Sequence, residues 1–190
     1  MLNPKNGNKL IIASALLIIA VLAASALQSS PSSISDADLS YHSRVCVMKT
    51  FAADGHSEII QCDHNVLTNA GKNLTRDCLG IGGAAGCGTS AQYIAIENGT
   101  APGATDTTLN LELSICGFTR AAGTYALYPA TAGNWSQAKT FTSTCDAVTV
   151  NTTGLFNASS SGVEFAGNTF TSTTLQTNDQ LTVNWTVFIT

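Results

Sequence analysis

The sequence predicts a mainly β fold. The expected architecture is an antiparallel β-sandwich of jelly-roll or immunoglobulin-like type, with one short helix near 66–79 and an apolar export helix at the N-terminus. Three observations carry this reading. In the closing stretch Asp179–Thr190, Leu181, Val183, Trp185, Val187 and Ile189 alternate with Thr182, Asn184 and Thr186. Such alternation puts one dry and one wet face on a strand. Elsewhere, many short alternating segments are punctuated by Gly, Asn and Ser, the pattern of a sandwich or barrel. Finally, six cysteines all lie downstream of an apolar N-terminal run, as in an exported, disulfide-bonded domain.

Lys5 and Lys9 precede the apolar run Leu10–Leu22, and Ala24-Ser25-Ala26 follows it. A basic start, an apolar stretch and a small-residue site describe a signal peptide over residues 1–26, cut after Ala26. Residues 10–27 also span 18 positions, enough for an uncleaved membrane anchor. A pilin-type leader, cut ahead of the apolar run, is a third reading. Residues 27–36 read as a polar linker or tail, Gln28–Ser35 being QSSPSSIS. Residues 37–190 then form a single domain, large enough to bury ~70% of its unfolded surface.

Charge narrows the partners. Only 11% of residues are charged, the net charge is −4, and Lys139 is the one basic residue after Arg120. Nucleic acid requires a basic footprint and is excluded as a partner. A cytoplasmic surface usually carries more charge, so Thr, Ser and Asn must supply the polar exterior here.

Ala37–Lys49 reads as one long strand. Ala53-Asp54-Gly55 reads as a three-residue hairpin loop, with Gly where positive φ is needed. That register sets Ala52 opposite His56 and Cys46 opposite Cys62, within bridging distance. Six cysteines allow 15 connectivities. Local geometry favours Cys46–Cys62 and Cys78–Cys87 across the glycine-rich loop, which leaves Cys116 and Cys145 to pair. The competing reading of Cys46, Cys62, His56 and His64 is a zinc site, although the spacing matches no finger pattern.

Strand Ser57–Cys62 returns from the hairpin. A helix over Val66–Leu79 follows, with Leu67, Ala70, Leu74 and Cys78 at helical spacing and Gly80 as its stop. Gly80–Gly88 is a loop, Gln92–Glu97 a strand and Asn98–Thr107 a turn-rich segment. Further strands are expected at Ser114–Arg120, Thr124–Tyr128, Trp135–Ser143, Ala147–Asn151, Val163–Ala166, Thr169–Thr174 and Leu181–Ile189.

Six N-glycosylation sequons begin at Asn73, Asn98, Asn134, Asn151, Asn157 and Asn184. A chain rich in Asn, Thr and Ser makes some by chance, but in an exported chain the set points to covalent N-glycans. Asn73 falls within the expected helix.

Catalytic signatures are missing. Gly80–Ala85 fits G-x-G-x-x-A only formally, because a helix precedes it and a strand follows, the reverse of a dinucleotide site. Neither a nucleophile elbow nor H-E-x-x-H occurs. Asp36 and Asp38 are too few for the six to eight oxygens of Ca²⁺. His42, His56 and His64 read as hairpin surface residues, and Trp135 and Trp185 as core rather than as a sugar platform. The expectation is a non-enzyme with no metal and no cofactor.

From Asn65 onward the chain resembles structural β-sandwich domains of phage tails. The residues carrying the resemblance are Asn65–Gly71 leading into a helix that ends Leu79-Gly80, Tyr93–Thr100 (YIAIENGT), Asp106–Leu109 with Glu112, Arg120, Gly154–Asn157 (GLFN) and Asp179–Thr186. The resemblance implies an assembly domain without catalytic residues, in which Gly154-Leu155-Phe156 is a turn. The leader, cysteines and sequons are instead similar in style to exported archaeal surface-filament subunits, where one subunit's N-terminal strand completes the next one's sheet. The function expected is an extracellular structural subunit of a filament or virion-like assembly, self-associating by β-strand addition. The alternative is a membrane-anchored adhesin or carbohydrate-binding module, touching membrane only through residues 10–27.

Overall fold

A computed structural model describes residues 41–80, 90–127 and 133–189. The expectations for the leader, the linker, positions 37–40, the glycine-rich loop and the Cys78–Cys87 bridge, through Cys87, lie outside these residues. The described chain is mainly β, with ten strands and one helix. The strands are β1 (Tyr41–Thr50), β2 (Ser57–His64), β3 (Val66–Leu67), β4 (Tyr93–Glu97), β5 (Ala121–Ala122), β6 (Thr124–Leu127), β7 (Trp135–Thr142), β8 (Val148–Phe156), β9 (Glu164–Leu175) and β10 (Gln180–Ile189). The helix, α1, is Asn69–Gly80.

Two five-stranded sheets form, in the orders β2-β1-β10-β7-β6 and β3-β9-β8-β4-β5. Every pairing is antiparallel. One apolar cluster draws on both sheets: Val45, Val47, Phe141, Leu181, Val183 and Trp185 from the first, and Ile94, Ile96, Val150, Leu155, Phe165 and Phe170 from the second. Each large side chain in it contributes about 1.5–3 kcal/mol relative to exposure. The inward face read in β10 holds, with Leu181, Val183, Trp185 and Val187 buried; on the other face Asn184 is exposed, but Thr182 is half-buried and Thr186 buried.

Several boundaries move for physical reasons. The helix begins at Asn69, not Val66, because Val66 and Leu67 pair with Gly167 and Ala166 of β9. Thr68 caps it, its Oγ1 accepting from Gly71 N at 2.9 Å. The hairpin loop spans Ala52–Gly55, one residue more than expected, closed by Phe51 N donating to His56 O at 2.8 Å. A register shift between Val47 and Met48 then returns Cys46 to a place opposite Cys62. The longer loop and the bulge offset each other, so the cysteine pairing is that given by the shorter loop.

Ser114–Arg120 is not a strand. Phe118 N donates to Ile115 O at 3.0 Å, and Cys116 and Gly117 both take positive φ, at 57° and 87°. Two such residues in succession make a tight turn and break a strand. A Cβ on Gly117 would lie 2.0 Å from Thr142 O, so the close approach to β7 also requires glycine. Gly154-Leu155-Phe156 is not a turn either; it lies buried within β8. The two strands expected over 163–174 are one, β9.

The disulfides Cys46–Cys62 and Cys116–Cys145 are present. The first commits both sulfurs to each other, which removes the zinc reading. The second ties the Ile115–Phe118 turn to the connection between β7 and β8. Both bonds are consistent with an oxidising compartment.

Candidate functional site

The two flanks of the paired sheets are finished differently. On one flank, β2 approaches β9 through side chains. Gln61 Oε1 accepts from Thr171 N at 2.8 Å, and Asn168 Nδ2 donates to His64 O at 2.8 Å. Gln61 thereby occupies a backbone donor that an incoming strand would use.

On the other flank the chain itself crosses between sheets. Ala121 and Ala122 pair with β4, and Thr124–Leu127 pair with β7. Gly123 N donates to Gln92 O at 2.8 Å at the crossing. Register places Tyr125 opposite Gln137 and Leu127 opposite Trp135, while Gln137 and Trp135 oppose Trp185 and Val187 of β10. Directly opposed residues share a face. Tyr125, Leu127, Trp135 and Gln137 therefore belong to the same inward face as the core residue Trp185.

β5 is only two residues long and does not cover that face. Tyr125 stays 56% exposed and Leu127 69%. Trp135 is half-buried, stacked on Tyr125 with ring centroids 6.2 Å apart. Trp135 packs against the core cluster, as a core residue is expected to, but among the described residues it is only half-buried. A cavity of about 260 Å³ opens here, lined by Ser90, Ala91, Gln92, Tyr125, Trp135 and Gln137. Gln137 is buried, and its Oε1 has no hydrogen-bond partner among the described residues.

A second polar cluster, missed by the sequence reading as a unit, is internal. Arg120 is buried and pairs with Glu112, its Nε donating to Oε1 at 2.9 Å and its Nη2 contacting Oε2. Its Nη1 donates to Ser161 O at 2.8 Å and Ala158 O at 3.2 Å, and the guanidinium lies 3.6 Å from the Phe156 ring centroid. Glu97, 1% exposed, accepts from Leu111 N through Oε2 at 2.8 Å. Glu164 is 0% exposed, and neither carboxyl oxygen has a partner among the described residues. Gly154 and Gly167 make room for it; a Cβ on Gly167 would lie 2.4 Å from Glu164 Oε1.

Burial, then the charges of Asp106 and Glu97, push the Glu164 carboxyl up to about 7 from its ordinary 4.5; Arg120 opposes this and Glu112 adds to it. The unfolded chain releases this proton near pH 4.5, whereas the folded chain holds it to about 7. Between those values the folded state binds more protons, so stability falls as pH rises. The expected loss is on the order of 2 kcal/mol after solvent screening. Urea titrations from pH 4 to 8 should show the decline, and Glu164→Gln should flatten it. An equally steep decline in the variant would assign the effect to another group.

The sequon asparagines divide by accessibility. Asn73, Asn98 and Asn184 are exposed. Asn151 is half-buried, with Nδ2 donating to Gly99 O and Oδ1 accepting from Gly99 N, each at 2.9 Å. Asn157 is half-buried, and its Oδ1 accepts from Val163 N at 2.9 Å. Asn134 is buried. A glycan is carried on Nδ2, which must face solvent. The first three are therefore the accessible sites, whereas Asn151 has its Nδ2 engaged and Asn134 is buried.

Among the described residues no group of three or more His, Cys, Asp or Glu is arranged to hold a metal ion, and no helix is long and apolar enough to cross a membrane. No protein-family model, curated protein or solved structure matches the chain.

Proposed function

We propose that this chain is an extracellular structural subunit of a surface filament or virion-like assembly, and that its copies join by β-strand addition. The two sheets are the layers of a jelly-roll or immunoglobulin-like sandwich that residues 1–26 direct to export. The observation that carries the reading is β6. Among the described residues it is the outermost strand of its sheet, and it is exposed along its whole length. An outer strand with one unpaired flank is a template for another chain. The other outer strands are poorer templates. β3 and β5 are two residues each. β2 pairs through a bulge and carries Glu58, Asp63 and His64, features that discourage edge pairing.

The donor is the segment Leu27–Tyr41 of a second copy, which leads into β1. Main-chain hydrogen bonds supply affinity, and alternate side chains set register. The resemblance to phage-tail domains and the stylistic likeness to archaeal filament subunits favour the same role. Asn73, Asn98 and Asn184 are the preferred glycan sites, which would keep the outer surface hydrated at low charge.

The test is electron microscopy and light scattering of residues 27–190 beside a variant starting at Tyr41. Polymers are expected from the first and monomers from the second. Monodisperse monomers from both would reject strand addition, as would polymers of equal length from both.

A further inference from the structure

We infer that the cavity between Tyr125, Trp135 and Gln137 is a binding site for a neutral hexopyranose. The site goes beyond the proposed assembly role, since its lining residues on β7 and at Ser90–Gln92 lie inboard of the β6 edge. A strand added outside β6 leaves that lining in place.

Its chemistry is selective. Tyr125 and Trp135 supply flat, polarisable faces with polar tips, suited to a ligand that is apolar on one side and wet on the other. Gln92, Gln137 and Ser90 supply amide and hydroxyl groups that both donate and accept. The buried Oε1 of Gln137 lacks a partner among the described residues. That oxygen is enclosed, and a Cβ on Gly123 would lie 2.9 Å from it, so it meets a ligand only when the amide turns; buried acceptors are normally satisfied, which favours that turn. The terminal amide torsion is soft, so the group can turn toward a ligand hydroxyl.

A sugar ring presents C–H groups on its face and hydroxyls around its rim, matching stacked aromatics beside amides. Other ligand classes fit less well. None of the six lining residues is Lys, Arg, His, Asp or Glu, so phosphates, nucleotides and carboxylates lack a counter-charge. A purely apolar ligand would leave the amides unpaired. At about 260 Å³ the cavity lies below the ~300–1,000 Å³ of drug-sized pockets, which suits a single ring. That ring could end a foreign glycan or an N-glycan on a copy of this chain.

The experiment titrates the full-length protein with methyl glycosides of glucose, galactose and mannose, before and after enzymatic removal of N-glycans. Saturation-transfer NMR and tryptophan fluorescence report binding. At least one glycoside is expected to bind with millimolar Kd. Binding should weaken about tenfold or more in Tyr125→Ala and in Gln137→Leu. Because Tyr125 is mostly exposed, Tyr125→Ala should keep its melting temperature, which separates lost contact from lost fold. Binding before deglycosylation identifies an open site for foreign sugars. Binding only afterwards identifies a site occupied by the protein's own glycans. No binding of any glycoside at roughly 50 mM in either state would overturn the inference, as would binding unchanged in Tyr125→Ala. Polymerisation does not enter the readout, so this inference and the assembly proposal can fail separately.

Discussion

Arg120→Leu is expected to lower stability by about 3–5 kcal/mol, the cost of breaking a buried ion pair by removing one partner. Arg120 is 9% exposed, and Glu112 is its partner. The guanidinium also holds the carbonyls of Ala158 and Ser161 and covers the Phe156 ring. Removing it takes hydrogen bonds from Glu112 and from two backbone acceptors at once. It also removes the positive charge that opposes the rise of Glu164 toward 7. Guanidinium or thermal melts measure the loss. The companion variant Arg120→Leu with Glu112→Leu should recover part of it, because no lone carboxylate then remains at that position. A single variant within about 1 kcal/mol of the parent would mean that solvent reaches the pair and that the cluster does not brace the fold.

A loss of similar size is expected at Trp185. Trp185→Ala should cost about 3–5 kcal/mol, through lost transfer energy and the cavity left behind. The residue is 0% exposed, sits between Val45 of β1 and Gln137 of β7, and belongs to the cluster that draws on both sheets. Trp185→Phe should cost less than about 2 kcal/mol, since bulk is largely kept. Its indole Nε1 is buried without a partner among the described residues, so removing that donor offsets part of the lost volume. Equilibrium denaturation of the two variants under identical conditions gives the comparison. A Phe variant as unstable as the Ala variant would show that the indole N–H makes a bond that its position does not reveal.

The sequence reading succeeded where a rule of period two or a short sequence separation governed. β10 and β4 fall where alternation puts them, because it depends on neighbouring residues alone; Cys46 faces Cys62 as hairpin counting gives, but only because a bulge offsets the longer loop. It failed at Ser114–Arg120. Apolar residues there imitated a strand, while two positive-φ residues and a disulfide make a turn. It failed at Val66–Leu67 because β9, about 100 residues away, claims those residues for a sheet. The Arg120–Glu112–Glu164 cluster was not legible as a cluster: Glu164 lies 44 positions beyond Arg120, and no local periodicity connects them.

Trp135 shows the division most directly. Alternation within Trp135–Thr142 assigns its ring to the inward face, and that assignment stands. Alternation does not report how far the facing sheet extends. The two-residue β5 and the crossing at Gly123 leave Tyr125, Leu127 and Trp135 incompletely covered, and so create both the cavity and the exposed β6. By itself the sequence determined the inward strand faces and the mainly β class, since these follow from side-chain period and turn chemistry. Only the tertiary structure decided which inward-facing residues are covered and which carboxylate is left unpaired. Both depend on where a second sheet, distant along the chain, begins and ends.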